Sequence, residues 1–420
     1  MSSSPPTEAP AAAFVCDSGD AARSACKLLP FFKEKEGKRY CVLHYPGKEK
    51  CAAFEEARKR KLDAEDFNFC GAWFPDAAEF DAITFTKNAN FNYTTFSAEA
   101  HFRYAEFKGE ALFSHATFVE DANFYCSKFG AVTGFGTDFK FATFKGEANF
   151  RYATFVEVAN FRQATFKEEV RFSGNVRFPG DEERRVFGDK SSLELEFARI
   201  EKPDLLSFHT VTLRPHWFVN VDARKFEFIN VNWNWRNIST KKEIKSLRRK
   251  KGLSAHGLLA IACRNLAVNA EENHRYEEAS RFRYMAMEAR RLERWRGFAF
   301  WTLGWWYWLA SGYGERVWRA FVVLIGVWLV AAALYTRVGF ARWEPRVATE
   351  KEAAEARRDE VGESLRWPRA LTYSLGVMTL QKPEPRPATN AAQSLVMIET
   401  ILGPVQAALL ALAIRRKFMR

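Results

Sequence analysis

The 420-residue sequence lacks the side-chain combinations on which enzymes rely. It has only seven histidines, and no Ser/His/Asp combination or pair of carboxylates recurs within its repetitive part. His101 and His115 occupy isolated positions, which is typical of solvated surface histidines and not of a catalytic group. The sequence therefore predicts a protein that is not an enzyme.

A cleavable signal peptide is also not expected. Residues 1–14 are polar and rich in proline and alanine, which predicts a disordered tail. The segment that follows is therefore expected in the cytoplasm, where the seven cysteines would stay reduced. Disulfide bonds are accordingly not predicted.

Phenylalanine, in contrast, is abundant, with 39 residues in the chain. From Phe69 to Phe166 it recurs at alternating intervals of five and six positions. The series has an eleven-residue period and resumes at Phe144 after a short slip. An α-helix could carry this period, but phenylalanines five positions apart would lie about 140° from each other around its axis. In a strand, each phenylalanine shares a face with the small residue two places earlier, as Phe102 does with Ala100. The period therefore predicts short strands that point a large and a small residue inward.

Charged and turn-forming residues separate these pairs, as in Lys108-Gly109-Glu110, and suit corners that face water. Strands that turn every five or six residues describe a β-solenoid, with about 22 residues in each four-sided coil. The segment resembles the pentapeptide-repeat family, whose pattern is a small residue, a polar residue, a central Leu or Phe and two variable positions. The resemblance covers residues 67–178 and, more loosely, 187–235. It implies a right-handed quadrilateral β-helix over 67–236, which we interpret as a rigid scaffold.

Acidic residues are in deficit, with 51 Asp and Glu against 63 Lys and Arg and a net charge of +12. Some pentapeptide-repeat proteins mimic DNA and bind topoisomerases through an acidic surface, and the charge of this chain argues against that role. The run KKEIKSLRRKK (241–251) opens a predicted cytoplasmic helical hairpin, 237–296. A basic run close to a membrane more often meets anionic lipid or solvent than nucleic acid. Nucleic acid is therefore not an expected partner.

The segment before the repeats, 15–66, predicts a small metal-binding module. Two residues separate Cys41 from His44, a spacing that places two zinc ligands on one turn. Cys16 and Cys26 complete a four-ligand set, and Cys51 is an alternative ligand. The expected cofactor is a structural zinc ion (Zn2+).

Six of the 13 tryptophans lie between residues 295 and 318, which is typical of the aromatic belt at a membrane surface. Residues 297–316 are therefore interpreted as an amphipathic, Trp-rich interfacial helix, the alternative being an aromatic core helix of a soluble domain. Two apolar runs follow, Ala320–Thr336 and Thr389–Ile414, and the second contains a single charged residue, Glu399. Each approaches or exceeds the ~20 residues that cross a bilayer.

Basic clusters precede the first apolar run (RRLERWR) and follow the second (RRKFMR). The positive-inside rule would keep both clusters in the cytoplasm, since the long connecting segment translocates largely regardless of its charge. The sequence thus predicts a multi-pass membrane protein with two spans, cytoplasmic N and C termini, and membrane lipid as a partner.

Between the two runs, Trp367–Thr379 is apolar but too short to span, which predicts a re-entrant pore helix. Residues 297–420 resemble the two-transmembrane, pore-loop ion channels of the potassium-channel superfamily. Bacterial chains that join pentapeptide repeats to such a module look similar. The resemblance implies a two-transmembrane pore module, 317–420, with an outer helix, a pore helix and an inner helix that contains a hinge glycine.

The predicted filter departs from the potassium-channel pattern. Where that pattern reads T-V-G-Y-G, this chain has Thr379, Leu380, Gln381 and Lys382, followed by proline. Potassium selectivity is not expected, because consecutive carbonyls of a glycine-containing loop replace the hydration shell of the ion. Lys382 and Arg386 would favour anions at the pore mouth, or their side chains face lipid head groups or form a salt bridge with Glu384.

Three residues of the second apolar run are assigned to an inner-helix gate. Gly403 and Pro404 supply either a hinge or a static kink. An ionisable residue in a span usually faces a water path or a bundle interior, so Glu399 lines the path or forms a hydrogen bond with the pore helix.

Together these features predict an oligomeric ion channel whose cytoplasmic solenoid serves assembly, gating or the sensing of a protein partner. One hairpin cannot enclose a pore, so a homo-oligomer is required, and the resemblance favours a tetramer around the permeant ions. The alternative is a non-conducting, membrane-anchored scaffold that binds a cytoplasmic protein partner. The short pore helix discriminates between them, because an anchor does not require it.

Overall fold

The computed structural model describes most of the chain: residues 14–19, 22–26, 29–130, 136–174, 186–188, 190–235, 238–251, 255–293, 302–341 and 363–418. Residues 1–13 of the predicted tail and 297–301 of the predicted interfacial helix lie outside the described residues. The chain forms two compact units, Met1–Asn273 and His274–Arg420, so their boundary falls within the predicted helical hairpin.

The first unit contains an antiparallel hairpin followed by four parallel sheets that form the sides of a β-solenoid. The sheets contain six, seven, four and five strands, and they describe about six turns. Strands β1 to β24 of this unit are, in chain order, Phe31–Lys35, Lys38–Cys41, Trp73–Phe74, Ala78–Glu79, Thr84–Phe85, Ala89–Asn90, Thr95–Phe96, Ala100–His101, Glu106–Phe107, Ala111–Leu112, Thr117–Phe118, Ala122–Asn123, Lys128–Phe129, Thr137–Asp138, Thr143–Phe144, Ala148–Asn149, Thr154–Phe155, Val158–Asn160, Thr165–Phe166, Val170–Ser173, Ser192–Glu194, Arg199–Ile200, Leu206–His209 and Glu227–Ile229.

Successive coils stack in a fixed register. Phe74 pairs with Phe96, and Phe96 pairs with Phe118, within one sheet. Consecutive coils are offset by 22 residues at first, and by 26 residues across the slip in the phenylalanine series. The predicted β-solenoid is therefore confirmed, and the α-helical interpretation of the eleven-residue period is excluded for the described repeats.

The core of the solenoid consists of columns of stacked phenylalanine rings. The centroids of Phe85 and Phe107 lie 4.6 Å apart with their planes at 7°. Ala100 and Phe102, a pair predicted to share a face, are both completely buried. Because each ring also meets its neighbours edge-on, the aromatic contacts add to the hydrophobic stabilisation of every coil.

Aromatic residues also line the outer corners. Tyr93, Tyr104 and Tyr152 each turn the chain with a φ of 58°, a left-handed conformation that side chains rarely adopt. The ring of the exposed His115 stacks between Tyr93 and Phe141, at 4.8 and 4.6 Å. His115 therefore lies on the surface, as predicted, within a ladder of rings.

Helices cover both ends of the solenoid. At the first coil, helix α1 (Cys51–Asp63) packs Phe54 against Phe74, with 4.8 Å between the ring centroids. At the other end lie α2 (Thr240–Lys251) and α3 (Ala255–Glu272). Asn269 of α3 donates to the carbonyls of the last coil, among them that of Phe226 at 2.6 Å. Such caps protect the apolar core and the unpaired strand edges at the ends of a repeat array.

The second unit is mainly helical. Its buried Phe340 packs against the rings of Tyr335 and Tyr373. Helices α4 to α8 are Tyr276–Glu293, Leu303–Ser311, Val317–Tyr335, Trp367–Met378 and Asn390–Phe418, and strands β25 and β26 are Gly339–Phe340 and Glu363–Ser364.

Helices α6 and α8 are long and apolar enough to cross a membrane. The mean hydropathy of their most apolar 18-residue windows is 2.2 and 1.9, and only 17% of each window is buried. The core helix of a soluble protein would be mostly buried, whereas most of each of these windows is exposed. Helix α7, between them, coincides with the predicted short helix.

Candidate metal centre and apolar helical hairpin

The N-terminal hairpin brings together four residues that are far apart in sequence. Cys26 ends a short 3-10 turn, Arg23–Cys26, and Cys41 is the last residue of β2. The tight connection between β1 and β2 returns the chain, so that Cys41 and His44 lie beside Cys16. The four predicted ligands therefore converge.

The four ligand atoms lie within 4.8 Å of one another. The Nδ1 atom of His44 is 3.1 Å from the sulfur of Cys41 and 3.6 Å from that of Cys16. Around a tetrahedral zinc ion with Zn–S bonds of about 2.3 Å, sulfur atoms would be about 3.8 Å apart. Three thiols and one imidazole at this separation could hold a metal ion.

The cluster also favours a bound cation, because at least one of its thiols ionises readily. Hydrogen bonds from Cys26 and Cys41 lower the pKa of the Cys16 thiol far below its usual range. The contact with Cys16 in turn raises the pKa of Cys26 to about 11. Burial lowers the pKa of His44, but hydrogen bonds with Cys16 and Cys41 outweigh it and raise the pKa to about 9. A divalent metal would displace these shared protons and allow every thiol to ionise.

The orientation of His44 is set by the first coil of the solenoid. Its Nε2 atom lies 2.9 Å from the carbonyl oxygen of Cys70. Because a carbonyl only accepts, Nε2 keeps its proton, so Nδ1, which faces the thiols, is the nitrogen that a metal would deprotonate and bind, the arrangement typical of a metal-ligating histidine. Gly71 follows with a φ of 71°, and a Cβ there would lie 2.5 Å from the Cβ of Ala22. The module and the coil are thus closely packed at the candidate metal centre.

Lys50 is a component of this region that the sequence analysis missed. Its side chain is completely buried, and its Nζ donates to the carbonyl of Leu43 at 2.7 Å. Burial lowers the pKa of Lys50 to about 7, while the nearby thiols Cys41 and Cys16 act in the opposite direction. Three thiolates and one imidazole around Zn2+ carry a net negative charge, which a protonated lysine would balance. Nothing in the local sequence distinguishes Lys50 from the exposed lysines around it.

The alternative ligand Cys51 is not part of the four-residue group. Its thiol donates to the carbonyl of Lys48 at 2.6 Å, at the start of α1. The ligand set favoured from the sequence is therefore the one that the described residues bring together.

In the second unit, Glu399 joins the three helices α6, α7 and α8. Its buried carboxylate accepts hydrogen bonds from the hydroxyls of Tyr335 at the end of α6 and Ser374 in α7. Ser374 also lies 3.3 Å from the carbonyl of Trp328. The hydrogen bond to α7 is one of the two roles that the sequence allowed for Glu399. A carboxylate in this position holds the short helix against both long ones.

Two polar side chains that the sequence analysis overlooked add to this packing. Gln406 of α8 donates to the carbonyls of Ala310 and Ala320, both at 2.8 Å. Trp328 of α6 donates from Nε1 to the carbonyl of Leu371 in α7, at 3.0 Å. A glutamine within an apolar run is a detectable signal, because an amide in such surroundings needs partners.

The predicted filter segment leaves α7 in a Schellman turn. The amide of Leu380 donates to Val377 and that of Gln381 to Gly376, at 3.0 and 2.9 Å. Leu380 has a φ of 61°, at the position where helices usually place glycine, and its side chain is 64% exposed. Thr379, Gln381 and Lys382 are exposed as well. The turn therefore presents these side chains away from the hairpin.

Gly403 lies where α8 passes the end of α7. A Cβ at this position would be 2.9 Å from Cγ of Met378 and 3.1 Å from its Cα. Glycine thus allows the close approach of the two helices. The neighbouring Pro404 lies inside α8, which continues on both sides. The hinge and gate roles of these two residues stay predictions.

Replacing Gly403 by alanine is expected to lower the free energy of unfolding of the second unit by about 1–3 kcal/mol, because the added methyl group forces α7 and α8 apart. Gly326→Ala is the matched control, since nothing lies within 4 Å of a Cβ at Gly326 of α6. Unfolding of the purified protein in detergent measures both variants. A loss of stability equal in the two would contradict the proposed packing role.

Comparison with known families identifies the solenoid. Residues 134–174 match the family model of pentapeptide repeats (9 copies). The solenoid is a pentapeptide-repeat domain. The match lies within the repeats predicted from the sequence, and the domain extends on both sides of it with the same register. Comparisons of the chain with curated proteins and with solved structures gave no match.

Proposed function

We propose that this protein is an oligomeric ion channel of the two-transmembrane, pore-loop type. In this proposal α6 and α8 cross the membrane, and the pentapeptide-repeat domain lies in the cytoplasm with both termini. Oligomerisation, with a tetramer favoured, encloses a path for permeant ions that a single hairpin cannot form. The observation that carries the proposal is helix α7, held between two long apolar helices by Glu399.

The length of α7 supports a re-entrant position. Its 12 residues extend for about 18 Å at 1.5 Å per residue, against a hydrocarbon core of about 30 Å. The chain leaves α7 in an exposed turn and returns to the level of β25, where Ala341 donates to the carbonyl of Arg386 at 2.9 Å. A helix that enters and returns is useful to a pore and unnecessary in an anchor.

The exposed turn after α7 supplies the residues that would contact ions. It contains Thr379, Leu380, Gln381 and Lys382, without the glycines of a potassium filter. The ammonium group of Lys382 would repeat around a homo-oligomer as a ring of positive charge, which favours anions over cations. The proposed channel is therefore not potassium-selective.

Single-channel recording in planar bilayers tests this proposal. Under a potassium chloride gradient, the parent protein should give unitary currents whose reversal potential lies towards that of chloride. Lys382→Glu should shift the reversal potential towards that of potassium, because the ring of charge changes sign. Lys225→Glu is the matched control, since it makes the same change at an exposed site of the pentapeptide-repeat domain. Currents that Lys382→Glu leaves unchanged would remove this residue from the ion path.

The cluster of Cys16, Cys26, Cys41 and His44 serves in this proposal as a structural zinc site. The donor set, the burial and the fixed tautomer of His44 support this metal, because closed zinc sites with three cysteines and one histidine are tetrahedral. The site would fasten the N-terminal module to the first coil of the pentapeptide-repeat domain, as a cap that the metal helps to fold.

A non-conducting scaffold is the second candidate, and the outer aromatic ladder of the pentapeptide-repeat domain favours it. Tyr93, His115 and Phe141 present stacked rings at one corner. Rows of surface aromatic residues are typical of protein interfaces. A reconstituted and verified oligomer that conducts no ions under any tested condition would favour this function.

A further inference from the structure

The carboxylate of Glu315 is buried where three segments of the second unit meet. Its side chain is only 4% exposed. Oε2 accepts a hydrogen bond from the hydroxyl of Ser280 in α4, at 2.6 Å. Oε1 lies 3.6 Å from Nε of Arg283, also in α4, and 3.5 Å from Nη1 of Arg416 near the end of α8. A buried carboxylate is costly unless it is paired, so these contacts determine its position.

The turn before Glu315 is shaped to receive Arg416. Gly312, Tyr313 and Gly314 all have positive φ, at 56°, 64° and 73°. Arg416 donates from Nη1 to the carbonyl of Tyr313 at 3.1 Å. A Cβ at Gly314 would lie 3.1 Å from this same nitrogen. The carbonyl of Tyr313 and the carboxylate of Glu315 therefore both hold the guanidinium of Arg416 at the end of α8.

Helix α4 also contacts this region without Glu315. Trp308 of α5 donates from Nε1 to the hydroxyl of Tyr284 at 3.3 Å. The guanidinium of Arg316 lies 4.4 Å from the centroid of the Tyr284 ring. These contacts would persist if Glu315 were changed, so a variant at this position should still fold.

We propose that Glu315 is a positioning residue that couples α4 to the C-terminal end of α8. This proposal rests on the proposed function in one respect, because it takes α8 to be the helix that lines the ion path. Helix α4 precedes the apolar hairpin in the chain, and α8 follows α7. With Glu315 bound to both, a displacement of α4 moves the end of the inner helix. Without the carboxylate of Glu315, Arg416 keeps its hydrogen bond to the carbonyl of Tyr313 but loses its link to α4, so opening no longer depends on α4.

Hydrogen exchange of the full-length protein in detergent tests the coupling without requiring currents. Glu315→Gln should increase exchange in the last turns of α8 by about tenfold, because a charge-assisted contact is lost. Glu288→Gln is the control, since this carboxylate pairs with Arg291 within α4, at 3.8 Å. Arg416→Gln should increase exchange at least as much, because it also removes the hydrogen bond to the carbonyl of Tyr313. Adding Glu315→Gln to Arg416→Gln should cause no further increase, because their shared contact is already lost.

The outcomes separate the coupling from the channel. If exchange in α8 is unchanged by Glu315→Gln, or if the effects of Glu315 and Arg416 simply add, the coupling is overturned even in a conducting protein. If the parent conducts and the coupling holds, Glu315→Gln should change the open probability and leave the reversal potential unchanged. A silent parent with the expected exchange pattern contradicts the proposed channel and keeps the coupling.

Discussion

Replacement of Cys41 by serine is expected to abolish zinc binding by the purified protein. The parent should retain about one zinc ion per chain after dialysis, whereas Cys41→Ser should retain almost none. Cys41 is completely buried, and its sulfur lies 3.1 Å from the Nδ1 atom of His44. A neutral serine hydroxyl cannot replace a thiolate in a site that binds metal through soft, ionised donors. Metal analysis of the dialysed proteins makes the measurement.

Cys51→Ser is the matched control for this experiment. Cys51 was the alternative ligand in sequence, but its thiol contacts the carbonyl of Lys48. The control should therefore bind zinc as the parent does. Loss of zinc in the control would point to a different ligand set, and a parent that binds no zinc after growth and purification with zinc would refute the zinc assignment.

Zinc removal should also loosen the first coil of the pentapeptide-repeat domain. His44 contacts the carbonyl of Cys70, and the amide of Trp73 donates to the carbonyl of Leu43 at 2.9 Å. Because the free energy of metal binding contributes to folding, a chelator should increase hydrogen exchange there before it affects the middle coils.

Replacement of Phe124 by alanine is expected to lower the free energy of unfolding of the pentapeptide-repeat domain by about 3–5 kcal/mol. The ring is completely buried and stacks on Phe102 and Phe150, each at a centroid distance of 5.0 Å. The cavity would weaken two inter-coil interfaces at once, and the stability of a repeat array depends on such interfaces. Denaturant unfolding followed by far-ultraviolet circular dichroism measures the effect.

Two further variants locate the source of this loss. Phe124→Leu should cost less than the alanine change, because leucine fills most of the space and fits the repeat pattern. Tyr104→Ala changes an aromatic residue in a nearby coil whose side chain is 60% exposed, and it should alter stability by about 0.5 kcal/mol or less. Equal losses for Phe124→Ala and Tyr104→Ala would contradict the assignment of the core to the inner columns.

The pentapeptide-repeat domain could be predicted because its pattern is local and repeated. Every coil places a phenylalanine and a small residue on the inner face, and each coil contacts mainly its neighbours. A period that fits a strand and not a helix is therefore sufficient to predict the fold. The positive φ of corner residues such as Tyr93 was not predictable, since tyrosine carries no preference for that conformation.

The metal centre was predictable only in part. The spacing of Cys41 and His44 indicates a pair of ligands on one turn, but the approach of Cys16 and Cys26 depends on the β1–β2 hairpin. The buried Lys50 has no sequence signal of its own, because its position follows from how α1 packs on the first coil.

In the second unit, the sequence by itself determined the two apolar runs, the short helix between them and the isolated charge of Glu399, since these depend on composition along the chain. Only the tertiary structure decided that Glu399 accepts hydrogen bonds from Tyr335 and Ser374, which are 64 and 25 residues away. It likewise decided that Gly403 permits a close contact and that Glu315 joins α4 to α8. Buried polar groups take whichever partners the packed helices bring within reach, and that choice is not written in local sequence.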